Sequence, residues 1–274
     1  MTRRQAYERG QRRRGVLIAA ASTIAVVVAI AVLVPMSPGW ERVERSFFAG
    51  DVFTDVFDDL LGAFWLDVKI FAWSAPTIVA LALLIAMARG VRSPALFPLR
   101  LFAAVYTDVF RGVPVILTIY LIGFGVPGLG LPRPWNSPLL WGSVALVLAY
   151  SAYVAEVFRA GIESVHESQR AAARSLGMSS RQTMFSVVLP QAIRRVVPAL
   201  MNDFISLQKD VALVSLIGPI ELLRQAEVEK SLSGNFTPYV AAAVIFLAVT
   251  IPMTRLADYL LARERRRTGA TAVA

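Results

Sequence analysis

The sequence predicts an all-α integral membrane protein with six transmembrane helices. Three observations carry this. Of the 274 residues, 56% are hydrophobic and only 17% are charged, fewer charges than a soluble domain of this length normally bears, and the mean hydropathy is +0.59. The apolar residues are gathered into long uncharged runs, near the roughly 20 residues that a helix needs to cross hydrocarbon. Basic residues crowd the segments between alternate runs, as the positive-inside rule requires.

Five runs are uncharged and long enough to span: Gly15–Val34, Ile70–Ala88, Gly112–Pro132, Pro134–Ala155 and Phe236–Thr254. A sixth, Val196–Ile220, carries Asp203, Lys209 and Asp210. It is needed as a span so that the loop after Ala155 and the tail after Thr254 share a side. Six spans put both termini together. Besides Arg111 at a span end, their side holds twenty arginines, including six before Gly15, Arg89, Arg92 and Arg100, and six in 156–195. The other side holds Arg42, Arg45, Lys69, Arg133, Arg224 and Lys230. Both termini and the 156–195 loop are therefore expected in the cytoplasm, and the protein in the plasma (inner) membrane as a multi-pass chain.

The first run is longer than a usual signal-peptide core, and Pro35-Met36-Ser37-Pro38 offers no small-x-small cleavage site, so it reads as a retained anchor. Residues 35–69 are acidic and aromatic. Two readings fit them, a partly amphipathic helix at the outer surface or a solvated connector. The expected organisation is a first unit, 1–65, of basic tail, extra transmembrane helix and extracytoplasmic segment. A core follows over 66–262, with a cytoplasmic loop at about 163–192, and then a basic tail, 263–274, that binds anionic lipid or only fixes topology. Prolines within the runs, such as Pro76, Pro114, Pro198 and Pro252, are consistent with kinked helices around a pathway or with ordinary membrane composition.

Composition also excludes chemistry. The chain has no cysteine and one histidine, His166, so no disulfide, thiolate nucleophile or two-histidine zinc site can be built. No clustered metal ligands occur, and no bound cofactor is expected. A lone solvated His166 needs no function. Lys69, Lys209 and Lys230 are the only lysines, and none lies in a phosphate-cradling Gly-x-x-x-x-Gly-Lys-Ser/Thr string. A net charge of +9 would suggest nucleic acid in a soluble protein. Here the excess flanks apolar runs, so lipid topology accounts for it and no nucleic-acid partner is expected.

The stretch from Ala152 to Pro198 is the most informative. Glu156, Arg159 and Glu163 lie at i, i+3 and i+7, one charged stripe where the helix leaves lipid, and Glu156 can pair with Arg159. Gln169–Leu176 is Ala-rich and helix-favouring. Gly177 suits a helix stop, and Ser179-x-x-Gln182 is a capping-box start. Leu189-Pro190 is expected to interrupt the second helix. As physics alone, this hairpin is equally a lever for a soluble partner or an amphipathic surface element.

The string QRAAARSLGMSSRQTMFSVVLPQA resembles the cytoplasmic coupling loop of binding-protein-dependent ABC importer permeases. Gln169, Ala172, Ala173, Arg174, Leu176, Gly177, Leu189 and Pro190 fall in it, while Ala171 stands where that family has glutamate. RGVP at Arg111–Pro114, AYVAEVFRAGI at Ala152–Ile162 and NDFISLQKDVALVSLIG at Asn202–Gly218 narrow the resemblance to the polar amino acid (histidine/glutamine/glutamate) permeases. The resemblance implies a five-helix type I importer core, preceded here by an extra helix. It implies a second permease subunit, the same chain or a paralogue, and two ATPase subunits at the coupling loop that use ATP and Mg, since this chain is not itself an enzyme. It further implies an extracytoplasmic solute-binding protein and a polar, glutamate- or glutamine-like cargo.

Charges within a span usually face a bundle interior or a wet cavity. At 100° per residue, Asn202, Asp203, Ser206, Lys209 and Asp210 share an arc of about 120°, with Gln208 outside it. This face either lines a substrate pathway, where Lys209 and Asp210 complement a zwitterion, or forms a structural charge network. Arg111 reads as a snorkelling anchor. An ion-gradient-driven secondary transporter is the main alternative. It explains the intramembrane charges but leaves the hairpin without a role, and no inverted repeat is visible. A membrane enzyme has little to build a site from, and a non-transporting assembly factor would be separated by a transport assay.

Overall fold

The computed structural model describes residues 3–91 and 93–271, with side chains for 14–91 and 93–263. Arg92, and the side chains of the basic residues before 14 and after 263, lie outside the described residues. So do residues 272–274 of the 263–274 tail altogether.

Eleven α-helices follow one another, with no strand among the described residues: α1 Arg3–Leu33, α2 Trp40–Phe47, α3 Gly50–Gly90, α4 Phe97–Gly112, α5 Val115–Gly125, α6 Pro138–Glu163, α7 Glu167–Ser175, α8 Ser180–Thr183, α9 Leu189–Asp210, α10 Leu222–Ser233 and α11 Thr237–Thr271. Among the described residues, five stretches are long and apolar enough to cross a membrane, and a bent pair, Pro94–Gly112 with Val115–Leu129, makes a sixth.

The bend of 108° in that pair has a local cause. Proline pushes the preceding residue out of the helical region, and Val113 is extended, at φ −97° and ψ 130°, before Pro114. The run Gly112–Pro132 is therefore not one straight helix. It is the second arm of a bent pair, in which α4 and α5 meet at Gly112–Pro114. α4 packs along α6: Arg100 near its start borders a cavity with Arg89 and Arg159, the Tyr106 hydroxyl in its middle donates to the Leu148 carbonyl at 2.8 Å, and Arg111 at its finish lies 3.9 Å from Glu156.

Leu189-Pro190 does not interrupt its helix. Met184–Val188 forms a π-turn in which the Leu189 N–H donates to the Met184 carbonyl. A wider turn carries the chain past a residue with no N–H donor, so Ser180–Ile217 is one continuous helical stretch. Its last part, Val211–Ile217, tightens to a 3-10 helix and stops at Gly218, whose φ is +118°.

Helix α6 is the axis of the bundle. Ala145, Leu146, Tyr150 and Val154 on it pack with Ile78 and Ala82 of α3, Ile119 of α5 and Leu207 of α9 in the main core. The same helix carries the charged stripe, because α6 runs on to Glu163 rather than ending at Ala155. Helix α3 runs unbroken from Gly50 through the position where the sequence suggested a boundary at 65–66. Its first turns pack Val56 and Leu60 against Leu222 and Ala226 of α10 and Ala241, Ala242 and Ile245 of α11. This second cluster sits at the end opposite α7. Short α2 is fastened beside it, with Phe47 stacked on Phe236 at 5.0 Å and the Phe236 N–H donating to the Ser46 carbonyl. By contrast, Arg14–Leu33 of α1 is entirely unburied.

A carboxyl pair closes the second cluster. Glu221 is fully buried and caps α10, its oxygens accepting from the Leu223 and Arg224 N–H groups at 2.9 and 2.8 Å. Asp67 of α3 accepts from Leu222 N–H at 3.2 Å. Three of the orphan donors of α10 are thereby satisfied. Burial pushes the Glu221 carboxyl above the ordinary glutamate range, against the pull of those N–H donors.

Candidate coupling loop and translocation face

The candidate loop begins where α6 stops. His166 serves as the N-cap of α7: its Nδ1 accepts from the Ser168 N–H at 3.2 Å and pairs with Ser168 Oγ at 2.7 Å. The sequence left this residue without a role, although an acceptor just before an Ala-rich run is the available signal. The helix closes at Gly177, with φ +81°, whose N–H donates to the Arg174 carbonyl. The capping box then forms as its spacing requires, with Gln182 N–H to Ser179 Oγ at 3.2 Å and Ser179 N–H to Gln182 Oε1 at 2.8 Å.

Only one side of α7 faces the protein. Ala173 is buried, and beside it Val165, Val188 and Ala192 form a small third core with Ile162 and Met184. The Arg170 guanidinium donates to the Ile162 carbonyl at 2.7 Å, and Arg195 on α9 reaches both the carbonyl and the hydroxyl of Ser164. Gln169, Ala171, Ala172, Arg174 and Gly177 are exposed, and Leu176 is 83% exposed. On the returning helix, Leu189 is half-buried and Pro190 exposed. The loop is thus a short helix held at both ends of its base, presenting a mixed apolar and basic surface outward.

Above it lies an ionic node. Glu156 accepts from Arg89 of α3 at 2.9 Å and from Arg159, which also binds Glu163. The pair with Arg89 is about one-fifth exposed on both sides. One carboxylate therefore joins α3, α6 and, through Arg111, the α4 end. The sequence predicted the Glu156–Arg159 pair. Arg89, 67 positions away, carries no local signal for it.

The five polar residues predicted on α9 are brought to one side of the bundle. Asn202, Ser206 and Lys209 are exposed, and Asp203 and Asp210 are half-buried. Asp210 accepts a hydrogen bond from the Tyr150 hydroxyl of α6 at 2.8 Å. Asp203 Oδ2 has no partner among the described residues. Gln208 points the other way and is buried against α11, accepting from Thr250 Oγ1 at 2.9 Å. Its exception to the polar arc is therefore a second helix contact. Among the described residues no group of three or more metal-ligating side chains occurs.

A membrane-length bundle with an exposed helical loop has counterparts among known proteins. The model of the family "binding-protein-dependent transport system inner membrane component" matches residues 78–266. This chain belongs to that family. The permease is 36% identical over 164 residues, 60% of its length and 74% of the relative's, to a probable glutamine ABC transporter permease protein of Bacillus subtilis. It is 34% identical over 198 residues, 70% and 86% of the two lengths, to a probable amino-acid permease protein of the same organism. Among solved structures, an amino acid ABC transporter with histidines matches with a TM-score of 0.68 at 35% identity, covering 78% of this permease and 95% of that chain. The inward-facing MetNI methionine ABC transporter shares the fold, with a TM-score of 0.60 at 17% identity over 75% and 95% of the two chains. The permease is accordingly a multi-pass inner-membrane transport subunit with the type I importer fold, and ATP hydrolysis belongs to a separate subunit.

Proposed function

We propose that this permease moves polar amino acids, glutamate- or glutamine-like ones in particular, through a channel formed with a second permease subunit, itself or a paralogue. In this reading two ATPase subunits bind ATP and Mg and grip the exposed side of α7. A solute-binding protein delivers cargo at the opposite, extracytoplasmic end, and both termini face the cytoplasm.

The observation that carries the reading is the exposed polar face of α9. Asn202, Ser206 and Lys209 lie open on a helix of membrane length, where contact with lipid would be costly. A second subunit or an aqueous path resolves that cost, and an adjacent ammonium and carboxylate suit a zwitterion. The relatives described as glutamine permeases support the cargo class.

The test is uptake of labelled glutamine or glutamate into proteoliposomes holding the assembled transporter. Uptake is expected to need ATP and to survive collapse of ion gradients; the reverse pattern would establish the gradient-driven alternative. Asp210→Asn is expected to lower uptake about tenfold, the scale of one charge-assisted hydrogen bond, while assembly is kept. Unchanged uptake would remove the pathway role.

A further inference from the structure

Between α3, α4 and α6, at the α7 end, lies a cavity of about 310 Å³ lined by Arg89, Arg100, Arg159, Phe97, Leu101 and Ala104. The charges around it do not balance. Glu156 and Glu163 bind Arg89 and Arg159, and Arg111 also approaches Glu156. Arg100 has no carboxylate partner among the described residues; its guanidinium lies 5.2 Å from the Phe97 ring centre. Three guanidiniums line the cavity and two carboxylates bind two of them, so the excess charge falls at Arg100, where a guanidinium fork matches phosphate oxygens.

The rest of the lining is apolar. Phe97 and Leu101 are each about half exposed, at 49% and 50%, and extend the pocket along the outside of α4. A free inorganic ion would use only the cationic part. A molecule with a phosphate and hydrocarbon chains uses both, and basic pockets between membrane helices are known to take phospholipid headgroups. We propose that this pocket holds the phosphate of an anionic membrane phospholipid, with its chains along Phe97 and Leu101. The lipid then rests on the same arginines that fasten Glu156.

The experiment is native mass spectrometry of the full-length chain in neutral detergent, titrated with phosphatidylglycerol. Phosphatidylglycerol is expected to bind more tightly than phosphatidylcholine and to resist displacement by millimolar inorganic phosphate. Arg100→Gln is expected to weaken it about fivefold, the equivalent of roughly 1 kcal/mol per basic residue. Arg100→Lys should fall between, and Arg42→Gln on α2 should match the unaltered chain. Equal affinity for the two lipids, or for Arg100→Gln, Arg100→Lys and the unaltered chain, would overturn the proposal. So would displacement by inorganic phosphate, which marks a free-anion site. Loss of ATPase co-purification in Arg100→Gln with lipid binding unchanged would also overturn it and assign the arginine to a protein contact.

Discussion

A methyl group added to Gly161 would lie 2.1 Å from Val196 Cγ2, so α6 and α9 meet there with no room for a side chain. Valine is stiff at χ1 and cannot swing clear. Gly161→Ala is therefore expected to cost about 1–3 kcal/mol, the usual range for overpacking, read as a lower Tm in detergent. Glu156→Gln removes a half-buried carboxylate from at least two guanidiniums and is expected to cost about 1–3 kcal/mol, again as a lower Tm. The sequence exposed half of this node. An i, i+3 spacing predicts Glu156 with Arg159, because helix geometry alone decides it. Arg89 joins through the packing of α3 on α6, which no local pattern encodes. The same holds for Tyr150 on Asp210 and for Asp67 beside Glu221.

Among the helices, those set by backbone chemistry were legible. Gly177 and the Ser179/Gln182 box fall as expected because each is fixed within four residues. Leu189-Pro190 reads as a break by the same logic, yet the chain absorbs it in a π-turn, a choice made by packing of Val188 and Ala192 on the loop base. The sharp turn at Gly112–Pro114 was half visible. Pro114 signals a kink, but Arg100 and Asp108 hide α4 from a search for uncharged runs. For α7, the prediction follows from exposure. Leu176→Ser leaves the core untouched, so Tm is expected to stay within about 0.5 kcal/mol of the original in stability. ATPase co-purification and ATP-dependent uptake should fall several-fold; retained association would separate α7 from coupling.

At the level of the molecule, six apolar runs and their flanking arginines announced a membrane bundle, because hydrocarbon thickness and loop charge act on stretches that sequence displays directly. The arrangement of those runs was not displayed. α1 illustrates the difference: it has the apolar length of a span, but none of Arg14–Leu33 is buried against the rest. Removing residues 1–33 is expected to leave the Tm of the purified protein within a few degrees of the full chain; a large fall would show that α1 contributes to the fold.

The length of α3 has its own consequence. Its 41 residues measure about 60 Å at helical rise, against about 30 Å of hydrocarbon. The first several turns, bearing Asp51, Asp55, Asp58 and Asp59, therefore rise as a pedestal above the lipid headgroups, braced by α10 and the start of α11. A visitor arriving at that end lands on an acidic protein platform well before it reaches the bilayer, so its approach is governed by the platform's charge and little by the composition of the membrane below.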